Sequence, residues 1–155
     1  MISEDYGVIM RSYAVVIFDV NNLKVINDNY GHETGDALLL AASSYICRTF
    51  SHSPVFRIGG DEFCTIVEQA KEDEILKSLS KFKKRQKQKR DKKLPVKLSV
   101  ACGYAFYDEK TDADIEETRK RADVHLYNDK KKMKSKSSSG RPRVSFPKKR
   151  NTGVS

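Results

Sequence analysis

Between the apolar segments Val55-Phe56-Arg57-Ile58 and Phe63-Cys64-Thr65-Ile66-Val67 lies Gly59-Gly60-Asp61-Glu62, a stretch that leaves the backbone little choice but to reverse. Two short apolar runs joined through paired glycines predict an antiparallel hairpin, glycine supplying the positive φ that a two-residue turn demands. The absence of a Cβ at both glycines also lets a bulky ligand approach the main chain. Asp61 and Glu62 then sit at the hairpin tip. Solvated acids are common in turns, so the pair alone leaves two readings open, a solvated turn and a cation site.

A second segment bears on that choice. Tyr13-Ala14-Val15-Val16-Ile17-Phe18 is a continuous apolar run, the form taken by a strand covered on both faces, and Asp19 stands at its carboxyl end. Ligands of open α/β sheets collect at that edge. If this strand pairs with either arm of the hairpin, Asp19 and Asp61 come close enough to share a divalent ion. The following residues, Val20 to Asp36, are densely polar and contain Asn22-Leu23-Lys24 at the expected start of a helix.

The chain has one domain's length, and 38% apolar residues suffice for a core without suggesting a membrane protein. No apolar stretch approaches the roughly 20 residues needed to span a bilayer, and the first residues lack the pattern of a signal peptide, so a cytoplasmic location is expected. Cys47, Cys64 and Cys102 are widely spaced in apolar sequence and read as reduced core thiols. The net charge is +9, but residues 130–150 hold ten Lys or Arg and no acid, which leaves 20 bases against 21 acids elsewhere. A fold-wide nucleic-acid surface is therefore not expected, and no specific nucleic-acid partner follows. Contact of the basic tail with RNA or anionic membrane is a weaker reading.

Ile75, Leu76, Leu79 and Phe82 recur at helical spacing from about Glu72, and the basic run from Lys81 to Arg90 continues that helix as a solvated face. Val96 to Tyr104 reads as a strand and Ile115 to Met133 as the last helix. Residues 135–155 read as a flexible basic tail, with 143–146 a further edge strand. The order is strand, short helix, helix, hairpin, helix, strand, helix: an α/β fold with a mixed central sheet and flanking helices.

These segments together resemble the GGDEF domain of diguanylate cyclases. The likeness rests on D-x-x-x-L-K-x-I-N-D-x-x-G-H-x-x-G-D from Asp19 to Asp36, on R-I-G-G-D-E-F from Arg57 to Phe63, and on Arg121-Ala122-Asp123-Val124-His125-Leu126-Tyr127 in the closing helix. It runs from about Tyr13 to Lys134, so residues 1–12 are expected to be an N-terminal remnant and 13–134 the domain. The family fold resembles the palm of nucleotidyl cyclases and polymerases, a fold-level analogy that does not itself establish chemistry.

The resemblance implies condensation of two GTP molecules into cyclic di-GMP and pyrophosphate across a homodimer, each 3′-hydroxyl attacking the other's α-phosphate with Mg2+ or Mn2+ as cofactor. Asp19, the main-chain carbonyl of Val20, Asp61 and Glu62 match the metal ligands, and Asp61 also the base. Lys24 matches the transition-state stabiliser, whose alternative is a solvated lysine on a first helical turn. Main-chain N–H groups at Asn22, Leu23 and Lys24 would meet phosphate oxygens. Asn27 and Asp36 match the guanine-reading pair; Asp36 otherwise reads as a helix N-cap, and the two roles are compatible. His32 either lines the guanosine pocket or braces the loop. Lys130 and Lys134 match a Lys and an Arg that reach the β- and γ-phosphates, Lys134 lacking the guanidinium fork.

Three departures bear on activity. Asn21 stands where many members have a second acid. Phe50-Ser51-His52-Ser53 carries neither charge of the R-x-x-D product-inhibition site, so feedback there is expected to be absent. The helix and L-T-x-L-x-N-R segment that normally precede the first strand are not found, and an N-terminal sensor domain is expected in the full-length protein. The alternative function is a catalytically weak or inactive GTP-binding module that regulates a partner.

Overall fold

The computed structural model describes residues 12–88 and 91–138. In chain order the elements are β1 (Tyr13–Val20), α1 (Leu23–Tyr30), α2 (His32–Thr49), β2 (Val55–Arg57), β3 (Glu62–Glu68), α3 (Glu72–Gln88), β4 (Val100–Phe106) and α4 (Ile115–Ser138). This is the order read from the sequence. The sheet runs β2-β3-β1-β4, and its three ladders are all antiparallel. The sheet expected to be mixed is thus antiparallel among the described residues. The physical reason is the position of β1: β3 and β4 run in the same direction, linked by α3, but β1 lies between them and opposes both.

Because β1 is central, it is covered on both faces, and the period of two divides its side chains between two cores. Ala14, Val16, Phe18 and Val20 join Ile26, Leu38, Ile46, Ile75 and Phe82 beneath α1, α2 and α3. Phe18 is fully buried and meets Phe50 and Phe82 edge-on, with ring centroids 5.9 and 5.2 Å away. Val15 and Ile17 point the other way, to Cys64, Ala101, Ala105, Ala122 and Leu126 under α4. Asp19 is the next odd-numbered residue and so belongs to the α4 side.

Helix α4 lies against β4 at Gly103. A Cβ there would stand 2.2 Å from the main-chain nitrogen of Leu126 and 2.5 Å from the carbonyl oxygen of Ala122. The outer edge of β4 is closed by side chains. The N–H of Val100 donates to Gln86 Oε1 (2.9 Å), that of Cys102 to Asp129 Oδ2 (2.9 Å) and that of Tyr104 to His125 Nδ1 (3.1 Å). Lys83 holds Asp129 from α3 through a 2.6 Å hydrogen bond. The start of α4 is fixed by Asp112, a buried carboxylate that accepts from Arg121, Thr118 Oγ1 (2.8 Å) and the Asp108 N–H (2.9 Å).

Several expectations change. Residues 96–99 lie outside β4; Leu94 and Leu98 instead plug the core from an irregular segment that contains Pro95. Helix α4 continues to Ser138, into the segment expected to be a flexible tail, since no glycine or proline interrupts it before Gly140. Cys64 and Cys102 are buried free thiols, pushed by burial up to about 11 and about 12, but Cys47 is exposed because it falls one position beyond the buried stripe of Leu38, Leu39, Ala42 and Ile46. The edge strand expected at 143–146 lies outside the described residues.

Gly103→Val should force α4 off the sheet and cost at least about 2 kcal/mol in urea unfolding, because the clash is with main chain that cannot rotate away. Arg121 holds the Asp112 carboxyl well below the usual carboxylate range, and the hydrogen bonds from the Asp108 N–H and Thr118 reinforce that against burial. A depressed folded value means that its stabilisation is complete above about pH 5 and is lost as the pH falls through the folded value. Asp112→Asn is therefore expected to cost about 1–3 kcal/mol at pH 7, and the gap from wild type to narrow in melts taken toward about pH 2.

Candidate active site

Antiparallel pairing of β1 with β3 sets Asp19 directly opposite Glu62. The Val20 N–H donates to the Asp61 carbonyl at 2.9 Å, which ties the end of β1 to the hairpin tip. Carboxylate oxygens of Asp19, Asp61 and Glu62 consequently lie within 4.8 Å of one another. Asp19 is 5% exposed; Asp61 and Glu62 are half-buried. The cluster expected from the sequence is assembled here.

The hairpin differs from expectation in its backbone. An Ile58 N–H to Glu62 carbonyl bond of 3.0 Å closes it, leaving Gly59-Gly60-Asp61 as a three-residue tip. Neither Gly59 nor Gly60 has positive φ. A wider tip does not need the mirror-image turn of a two-residue hairpin. A Cβ on Gly60 would meet nothing within 4 Å, so open space remains beside the main chain. Arg57 steadies the tip, with Nε donating to the Gly59 carbonyl (3.2 Å) and Nη2 to that of Gly60 (2.8 Å). Sequence reasoning gave Arg57 no role, although its place two residues before the glycines was the available signal.

Lys130 is brought to the cluster by α4, which covers the face of the sheet to which Asp19 belongs. It follows Ala122 and Leu126 at intervals of four on the face of α4 that packs on the sheet, and its Nζ donates to Asp19 Oδ2. Asp19 Oδ1 is buried with no hydrogen-bond partner. Burial pushes the Asp19 carboxyl above its usual range, Lys130 draws it back, and Asp61 adds to the upward push. Glu62 is raised as well, first by burial and then by Asp19, Asp123 and Asp61. Three clustered carboxylates, one of them with a buried oxygen that no hydrogen bond satisfies, are the hard oxygen donors that a divalent cation requires, so these residues fit Mg2+ or Mn2+.

The β1–α1 turn lies beside the cluster. Asn22 is the N-cap of α1 at φ 60°, ψ 22° and makes no side-chain cap, so its side chain does not satisfy the first-turn N–H groups. Asn21 is held by other partners: its Nδ2 donates to Ser99 Oγ (3.0 Å) and Met133 Sδ (3.5 Å). Leu23 packs against the core, while Lys24 is exposed on the first turn. Lys134 is exposed one turn beyond Lys130.

Asn27 is half-buried, and its Oδ1 has no hydrogen-bond partner. A Cβ at Gly35 would stand 1.7 Å from that oxygen, so any other residue there would have to displace the Asn27 amide. Asp36 is not an N-cap, because α2 begins four residues earlier at His32 behind Gly31; it lies inside the helix with its side chain exposed. Asp36 lines an open groove of about 500 Å³ with Leu39, Leu40, Ser43, Arg57 and Phe63. His32 is exposed on the first turn of α2.

A family profile described as "Diguanylate cyclase, GGDEF domain" matches residues 8–136. The chain belongs to the GGDEF diguanylate cyclase family. It is 34% identical over 118 residues to diguanylate cyclase DosC of Shigella sonnei, covering 74% of this chain and 25% of that protein. It is 32% identical over 134 residues to the probable diguanylate cyclase DgcF of Escherichia coli O157:H7, covering 82% and 28%. The chain thus spans about a quarter of the length of these relatives. Among solved structures, it superposes on the active GGEEF domain of a diguanylate cyclase from Vibrio cholerae with a TM-score of 0.73 at 22% identity, covering 83% of this chain and 82% of that one. It superposes on an EAL/GGDEF domain protein from M. capsulatus with a TM-score of 0.69 at 28% identity, covering 79% and 80%. No helix among the described residues is long and apolar enough to cross a membrane.

Arg57→Ala is expected to free the tip of the hairpin. Amide hydrogen exchange at residues 59–61 should accelerate, while global stability falls by only about 1 kcal/mol because both hydrogen bonds are exposed.

Proposed function

We propose that this GGDEF domain condenses two GTP molecules into cyclic di-GMP and pyrophosphate. The observation that carries the reading is the convergence of Asp19, Asp61 and Glu62 at the carboxyl end of β1, beside the start of α1. Asp19, the Val20 carbonyl, Asp61 and Glu62 would hold Mg2+ or Mn2+. When bound, such an ion supplies charge neutralisation for the triphosphate and lowers the pKa of an attacking hydroxyl.

The chain's own residues supply the rest. Asp61 takes the proton from the 3′-hydroxyl. The N–H groups at Asn22, Leu23 and Lys24 bind phosphate oxygens, an arrangement any helix start offers to an anion. Lys24 offsets charge that develops on phosphorus, and Lys130 and Lys134 take the outer phosphates. Asn27 and Asp36 read the guanine, since adenine would leave their polar atoms unpaired, and His32 lines the same pocket. One domain offers one such site. Joining two nucleotides therefore calls for a second copy set face to face, and a homodimer driven by an N-terminal sensor domain of the full-length protein meets that need. A nucleotide triphosphate substrate also favours the cytoplasm.

One observation favours a second reading, a weakly active or inactive GTP-binding module that regulates a partner: Asn21 is committed to Ser99 and Met133 and adds no acid to the cluster.

The two readings separate when concentrated protein is incubated with GTP and Mg2+ and the product is identified by mass spectrometry. Cyclic di-GMP is expected from the wild type, with a loss of at least about 100-fold in Asp61→Asn while GTP binding persists. GTP binding without product at any protein concentration would establish the regulatory module instead.

A further inference from the structure

The acidic cluster already has a cation, and that cation comes from the chain. Lys130 Nζ bonds Asp19 Oδ2, while Asp19 Oδ1 is buried with no hydrogen-bond partner. Three carboxylates within 4.8 Å repel one another strongly in a partly buried setting, and the ammonium offsets that repulsion. Its delivery is rigid at one end and loose at the other. Close packing of α4 on Gly103 fixes the helix, whereas the Lys130 side chain remains 34% exposed, with solvent on one side into which its flexible stem can swing. A divalent ion that takes Asp19 must displace the lysine or compete with its charge.

We infer that Lys130 is a resident counter-ion: it keeps Asp19, Asp61 and Glu62 from capturing a divalent cation on their own and gives way when an anionic phosphate offers it another partner. This deepens the reading of the site as a nucleotide site and rests on it for the second half. Cation and nucleotide then bind cooperatively, since each is taken up more readily once Lys130 has left Asp19. By linkage, the factor by which one raises the affinity of the other is reciprocal. The domain would remain unloaded in a cell rich in divalent ions until nucleotide arrives.

The test is a titration of nucleotide-free protein with Mn2+ alone, reading free ion by electron paramagnetic resonance. Lys130→Gln is expected to bind Mn2+ at least about tenfold more tightly than wild type, and Lys130→Arg, which keeps the charge, to stay within about threefold of it. Adding Asp19→Asn to Lys130→Gln should abolish the gain, which locates the ion at the cluster. Lys130→Met serves if glutamine impairs folding, and a larger Mn2+-induced rise in melting temperature than in wild type is a second reading of the same effect. Unchanged or weaker Mn2+ affinity in the neutral variants, or a gain that survives Asp19→Asn, would overturn the inference. Failure of the wild type to bind GTP would overturn the nucleotide reading instead, and the Mn2+ comparison would still decide the role of Lys130.

Discussion

The central position of β1 organises this molecule. A strand paired on both edges and covered on both faces has no freedom of register, because a slip by one residue would drive Phe18 toward α4 and Asp19 into the aromatic core with Phe50 and Phe82. The burial of Phe18 therefore determines where a carboxylate appears. Once Asp19 is committed to the α4 side at the end of the strand, β3 brings the hairpin acids to it and α4 brings Lys130.

That geometry makes the site expensive to hold. Burial and neighbouring negative charge both push Asp19 and Glu62 toward their neutral forms, and Lys130 opposes this for each. The remaining structure restrains the pieces without neutralising them: Arg57 binds the carbonyls of the tip, the Val20 N–H binds Asp61, and Asn21 is held by Ser99 and Met133.

Much of this could be read from the sequence because it rests on local pattern. The apolar run ending at Asp19 and the glycine pair before Asp61 needed only strand periodicity and turn chemistry to suggest convergent carboxylates. What escaped were features that depend on which faces meet. The Lys130 to Asp19 contact spans 111 residues and follows from the packing of α4 on Gly103. Asp36 reads as an N-cap until Gly31 is seen to start α2 earlier, and Cys47 reads as core until the buried stripe of α2 is placed. Residues 96–99 have strand-like composition, but Leu94 and Leu98 serve the core better as plugs.

The side chains along β4 have a consequence for how this domain meets others. With the outward amides of Val100, Cys102 and Tyr104 occupied by Gln86, Asp129 and His125, that margin offers a foreign strand no free donor at these three positions. The opposite margin is β2, three residues long, with Phe56 exposed in it and Ile58 exposed just after it. Among the described residues the two flanks of the sheet accordingly differ: a strand approaching β4 meets amides already taken by side chains, and one approaching β2 meets only three residues to pair with.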